Sequence, residues 1–263
     1  MSIEHETDRL FPDVIAHRLA SREGRYSGPT GGLIPENVLC NLVVLPRIDA
    51  YDFLVYCMRN PKPCPVIEVF DPGDPISKLA APGADMRTDL SRYAISRDGV
   101  DMGTCTDITD LWSTDSVALL MGSSLTFDHA LERAGVLAIS GVWVLKTSIK
   151  TVKSGKFEGP LIVTMRWMKP EHAIIATQLT ARFAWNHGAP VHIGDPRDIG
   201  ADLANPIWGE SVAEIPKGVV PVFWACGVTP QFTAKAAKPS LMITHAPAHG
   251  FVTDLMADQY CLP

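Results

Sequence analysis

Three segments toward the C-terminal end hold the residue types that do proton and nucleophile chemistry. They are His187-Gly188-Ala189-Pro190-Val191-His192-Ile193-Gly194-Asp195-Pro196, Val222-Phe223-Trp224-Ala225-Cys226-Gly227-Val228-Thr229-Pro230-Gln231 and Thr244-His245-Ala246-Pro247-Ala248-His249. Each sets polar groups among Gly and Pro at the end of an apolar run, where a rigid scaffold can present them in a cleft. The unperturbed pKa of histidine, about 6.5, makes His187, His192, His245 and His249 candidates for proton work, with Asp195 beside them. The alternative for each histidine is a hydrogen bond that ties loop backbone together. Cys226, just past an apolar strand and before Gly227, is placed like a nucleophile at a sharp turn, or like an inert small residue in a core. Thr229 and Gln231 read as hydrogen-bond donors to a ligand, and Pro230 opens a helix whose N-terminal amides suit an anion. Together these segments point to an enzyme.

An acidic substrate needs cations, and Arg59, Lys62, Arg87, Arg92, Lys146, Arg166 and Arg182 are the candidates. If Asp85 to Asp89 is extended, alternation puts both aspartates on one face and Arg87 on the other; a structural ion pair is the alternative. Glu68, inside an apolar run, is a buried-carboxylate candidate. His245 and His249 are four apart, but Pro247 between them argues against a helical metal face. A loop-built divalent metal site is the arrangement left, and none of the spacings is that of a strong metal motif. Gly28-Pro29-Thr30-Gly31-Gly32 lacks the Lys-Ser/Thr ending of a nucleotide loop, so no organic cofactor is expected.

The elements that must position these groups alternate between helix and strand. Helices are expected at Pro12 to Glu23, Asp49 to Arg59, Thr126 to Ala134, Pro170 to Phe183 and Thr233 to Lys238. Strands are expected at Leu39 to Leu45, Val66 to Phe70, Ser116 to Met121, Val142 to Ile149 and Pro160 to Met168, with Asp98-Gly99 turning a hairpin between Arg92 and Thr104. Val219 to Ala225 and Leu241 to Thr244 read as central strands of the larger sheet. With 263 residues, 46% of them hydrophobic, the chain can bury a substantial core. A formal charge of -6 and the lack of a basic run argue against nucleic-acid partners. No apolar run approaches the roughly 18 to 20 residues of a membrane span, and six cysteines without a CxxC pair fit a reducing compartment, so a cytoplasmic protein is expected. The apolar aromatics are compatible with a homo-oligomer.

Longer motifs carry a family resemblance. Arg59-Asn60-Pro61-Lys62-Pro63-Cys64-Pro65, Gly83-Ala84-Asp85-Met86-Arg87-Thr88-Asp89, Arg92-Tyr93, Gly159-Pro160-Leu161, His187 to Pro196, Phe223 to Gln231 and Thr244 to Asp254 resemble the hydro-lyase family also called DUF1445 or UPF0317. That family is similar to one region of the mitochondrial enzyme D-glutamate cyclase. The resemblance implies a bacterial, cytosolic α/β protein. Its larger, mixed-sheet three-layer α/β/α part would span 1–141 and 218–263, with a smaller two-layer α+β part at 142–217. The implied chemistry is loss of water from a small amino or hydroxy acid, D-glutamate closing to 5-oxo-D-proline. His187, His192, Asp195, Cys226, His245 and His249 would be catalytic, with Arg59, Lys62, Arg87, Lys146, Thr147, Thr229 and Gln231 holding a small carboxylate substrate.

The chain departs from the family pattern in three places. Gly122-Ser123-Ser124 stands where members often have Gly-Cys-Ser, and Leu145-Lys146-Thr147-Ser148 where they have Tyr-Arg-Thr-Asn. His245-Ala246-Pro247-Ala248-His249-Gly250 replaces His-Ala-Pro-Gly-His-Met. Lysine for arginine loses a fork that grips a carboxylate. A lactam or amide hydrolase using the same cleft, and a non-catalytic carboxylate-binding protein, are the rival readings.

Overall fold

The computed structural model describes residues 10–136 and 141–262. Asn37–Pro46 forms β1, and its eight central residues are buried because both faces of the strand are covered. Val43 and Leu45 share one core with Phe53, Tyr56 and Cys57 of α2 (Arg47–Arg59). Cys40, Leu42 and Val44 share another with Leu131 of α3 (Asp128–Arg133) and Ala173 and Ala176 of α4 (Pro170–Ala181). Helices therefore cover both faces of the sheet, as the α/β expectation requires. The first helix, α1, is Val14–Arg22, capped by Asp13.

Around β1 lie β5 (Ser116–Gly122) on one side and both β10 (Met242–His245) and β11 (Phe251–Met256) on the other. Outward from these run β2 (Val66–Val69), β3 (Tyr93–Arg97) and β4 (Val100–Cys105), completing the order β2-β5-β1-β10-β3-β4. Asp98 and Gly99 both take positive φ and turn the β3–β4 hairpin as expected.

The second sheet has the order β6-β7-β9-β8, from Trp143–Lys150, Pro160–Met168, Val220–Ala225 and His192–Ile193. Reading Val219 to Ala225 as a strand of the larger sheet is corrected by this register: β9 pairs with β7 from Val163↔Ala225 to Met168↔Val220. Both strands are apolar enough for either sheet, and only the pairing decides. Every pairing among the described strands is antiparallel, so the α/β character comes from helices laid over antiparallel sheets and not from the parallel crossovers of a mixed sheet. From β9 the chain passes through Cys226 and Gly227 into α5 (Val228–Ala236), which starts earlier than the expected Thr233.

Candidate active site

Four consecutive residues of β1 meet two distant segments, 122–126 and the histidine segment at 244–249. Leu39 accepts from Ser123 N and donates to Thr126 Oγ1. Cys40 pairs with Gly122, and Asn41 Nδ2 donates to the Gly122 carbonyl at 3.0 Å. Leu42 N–H donates to His245 Nδ1 at 3.1 Å. The reason lies in the strand order. β10 pairs with β1 at Val43 and Val44, whereas β11 takes over only from Cys40 toward Asn37, so neither strand serves Asn41 and Leu42. The His245 imidazole fills the vacant acceptor position.

The glycines show how tightly this junction closes. A Cβ on Gly227 would overlap the Asn41 side-chain amide, and one on Gly122 would overlap the Trp185 carbonyl oxygen. Both glycines are required by close approach. Asn186, next to Trp185, donates from Nδ2 to Thr126 Oγ1. Asn41 is the junction residue that sequence reasoning missed. A lone amide inside the apolar run Val38-Leu39-Cys40-Asn41-Leu42-Val43 was the available signal.

Two histidines of the third segment are held in opposite tautomers. His245 Nδ1 accepts from Leu42 N–H, so in the neutral ring Nε2 carries the proton. His249 Nδ1 lies 2.6 Å from the Pro247 carbonyl, which can only accept, so Nδ1 carries the proton and Nε2 keeps its lone pair. Burial, with a smaller contribution from His249, lowers the His245 pKa to about 4 and keeps its ring neutral at pH 7. The Gln231 amide lies 2.9 Å from His245 Nδ1 and 3.4 Å from Nε2, packing along the ring. Ala248, where the family pattern has glycine, takes a left-handed φ of 67°.

Cys226 is buried, and burial raises its thiol pKa; Thr164, the Val228 amide and the Arg166 charge oppose this. The thiol is neutral at pH 7, and with Gly227 beside it Cys226 forms the joint between sheet and helix. Thr229 is buried, and its hydroxyl bonds both the amide and the carbonyl of Ile162, at 3.0 and 3.1 Å. That pins α5 to β7 and leaves Thr229 little capacity for a ligand.

Most of the other expected site residues are held by partners of their own. His187, with a left-handed φ of 76°, is buried and bonds the Lys62 carbonyl through Nδ1 at 2.9 Å; its buried Nε2 has no partner. Burial lowers its pKa to about 4, and burial also lowers that of Lys62. His192 Nε2 bonds the Asp195 carbonyl, while Asp195 caps a short turn and pairs with Arg197, which holds its carboxyl down to about 2. Arg59 Nη1 donates to the Lys153 carbonyl and Asn60 bonds Val152, so this motif anchors the β6–β7 hairpin to α2. Lys146 is exposed on β6, and Thr147 Oγ1 bonds the Leu161 carbonyl.

The extended reading of Asp85 to Asp89 is corrected. Asp89 N–H bonds the Asp85 carbonyl in a turn, Arg87 clamps Asp85 at 2.7 Å, and Asp89 pairs with Arg22 at 2.6 Å. The buried Glu68 carboxylate accepts from Ser77 Oγ and from the amides of Lys78, Leu79 and Ala80, which organises that loop. Among the described residues, no group of three or more His, Cys, Asp or Glu is placed to hold a metal ion, and no helix is long and apolar enough to cross a membrane.

Comparison with known proteins gives this junction its context. The D-glutamate cyclase family matches residues 117–254, the span from β5 to His245, His249 and Asp254. A Geobacillus kaustophilus protein named "Putative hydro-lyase GK2103" is 47% identical over 244 residues, covering 90% of this chain and 92% of that one. A Bordetella petrii protein, "Putative hydro-lyase Bpet2233", is 48% identical over 245 residues, 91% of this chain and 92% of its own. A Stutzerimonas stutzeri relative of the same kind is 47% identical over 256 residues, 95% and 96% of the two chains. The hydro-lyase class expected from the motifs is thus borne out. The chain belongs to the D-glutamate cyclase family. Among solved structures, a nitrogen repressor-like protein, MJ0159 of Methanococcus jannaschii, aligns at 11% identity with a TM-score of 0.38 over 88% of this chain, too low to carry an argument.

Proposed function

We propose that the protein closes D-glutamate to 5-oxo-D-proline with release of water, using the β1 junction as its active site. The observation that carries this reading is the pair of opposed tautomers at His245 and His249. In the reaction the α-nitrogen bonds to the carbon of the side-chain carboxyl group and one C–O bond of that carboxyl breaks. The ammonium begins with three protons; one stays on the lactam nitrogen and two leave on the water. The step is redox-neutral and needs a base that carries protons from nitrogen to the departing oxygen, and a hydrogen-bond donor for the charge that builds on that oxygen.

His249 Nε2 has the lone pair to take a proton from nitrogen and, as the imidazolium, returns it to the departing oxygen, while His245 Nε2–H donates a hydrogen bond to that oxygen. A neutral imidazole donor supports developing negative charge without first being protonated. Asn41, turned by its bond to the Gly122 carbonyl, offers Oδ1 to the substrate amine. Lactam opening is the microscopic reverse and uses the same groups.

The test is incubation of purified, metal-stripped protein with D-glutamate, L-glutamate and both 5-oxoprolines, with and without added divalent metal, followed by mass spectrometry. Interconversion of the D-pair that disappears in His245→Ala and His249→Ala supports the reading. No turnover of either D-compound in the parent removes it.

A further inference from the structure

Lys146 and Arg166 are both among the cations the sequence offers for a substrate carboxylate, and Lys146 stands exposed on β6. A better-placed cation lies one strand away. The β7–β9 register puts Thr164, Arg166, Trp224 and Cys226 on one face of the smaller sheet, opposite the face bearing Val163, Met165, Phe223 and Ala225. That face shares its core with Cys40 and Leu42 of β1.

Arg166 is 5% exposed, with its guanidinium carbon 5.6 Å from the centroids of both Phe127 and Trp224. A guanidinium has five N–H donors, and burying one ordinarily requires that they be satisfied. Among the described residues Arg166 makes one hydrogen bond, from Nη1 to Asp128 Oδ1 at 2.5 Å, and its buried Nε has no partner. The pair is monodentate, so the edge formed by Nε and the second terminal nitrogen lacks the carboxylate that edge fits. Its charge is felt at Cys226, the residue before Gly227, whose backbone lies against Asn41.

We propose that Arg166 grips a carboxylate of the substrate through this open edge and so sets the preference for an acidic compound. The two aromatic rings hold the guanidinium plane, and Asp128 steadies one nitrogen without occupying the fork. The inference rests on the junction being the active site, but it concerns binding and not turnover.

The experiment is therefore calorimetric titration with glutarate, a dicarboxylate without the reacting amine, alongside glutaramide, its neutral counterpart. Each variant is first checked by thermal melting. Arg166→Gln is expected to weaken glutarate about 10- to 100-fold, in line with charge-assisted hydrogen bonds, and to leave glutaramide unchanged. Arg166→Lys keeps the charge, loses the fork and falls between. Asp128→Asn releases the guanidinium from its competing carboxylate and is expected to hold or raise glutarate affinity.

Equal glutarate affinity in parent and Arg166→Gln overturns the proposal. If Arg166→Gln does not fold, Arg166→Lys and Asp128→Asn decide: equal weakening in both marks a structural ion pair and overturns it as well. A parent that binds glutarate through Arg166 but turns over no D-glutamate leaves this inference standing while the cyclase reading fails.

Discussion

The amide of Leu42 donates to Nδ1 of His245 at 3.1 Å, so a backbone group on one strand fixes which nitrogen of a side chain on another carries the proton. The proposed division of labour between His245 and His249 can be tested by substitutions that keep half of each role. His245→Gln retains an N–H donor and is expected to keep more turnover than His245→Ala, which should lose about 100- to 1,000-fold in kcat, the scale for removing a donor to a developing oxyanion. His249→Gln has no base at the Nε2 position and is expected to be as impaired as His249→Ala. The comparison is read in kcat for D-glutamate.

Three histidines tie stability to pH in one direction. Burial lowers the pKa values of His17, His187 and His245 to about 4, against about 6.5 when unfolded. Between those values the unfolded chain binds more protons than the folded one, so stability rises with pH from about 4 to about 6.5 and is lost as the solution is acidified through that window. His17 is the simplest to isolate. It packs edge-on against Phe11 and Tyr26, and neither ring nitrogen has a partner. His17→Phe should melt higher than the parent at pH 5 by more than at pH 8; equal differences at both would count against burial as the cause.

Ala248 holds a left-handed backbone conformation, with φ of 67°, at the position where the family pattern given above has glycine. The Cβ penalty there is of order 1 kcal/mol, partly offset by the greater freedom of glycine in the unfolded chain. Ala248→Gly is expected to raise stability by up to about 1 kcal/mol in a denaturant titration. Turnover should be retained, since the Pro247 and His249 backbone keeps its geometry.

Gly227→Ala sets a methyl group into the Asn41 amide. The expected cost is about 1 to 3 kcal/mol of stability, the range for overpacking, with loss of turnover. Adding Asn41→Gly makes room for the methyl group. The double variant should regain most of the melting temperature without regaining activity, because the amide proposed to meet the substrate is gone.

Much of this architecture was legible locally. The apolar run around Val43 gave the central strand, Asn60-Pro61 gave the end of α2, and Asp98-Gly99 gave the hairpin. Pairings between distant segments were not legible. Nothing in Val220 to Ala225 says that it lies beside β7, and β11 and the two-residue β8 carry too little pattern to be noticed. The same limit applied to the site. His245, His249, Cys226 and Gln231 stood out as residue types in a motif, whereas Asn41 matters because of what lies across from it. Arg87 and Asp195 stood out equally, and each has its charge answered by a neighbour two residues away.

Gly227 joins β9 of the smaller sheet to α5, which is pinned to β7 and packs Ala234 into a core of the larger sheet, and it meets the Asn41 side chain with backbone alone. The spacing between the two sheets at this junction is thus set by a residue that has no rotamer to change. A side chain in that position could swing aside and let the walls part independently of the main chain. Here the spacing is built into the covalent path, and a truncated chain carrying either sheet by itself would hold only one half of the junction.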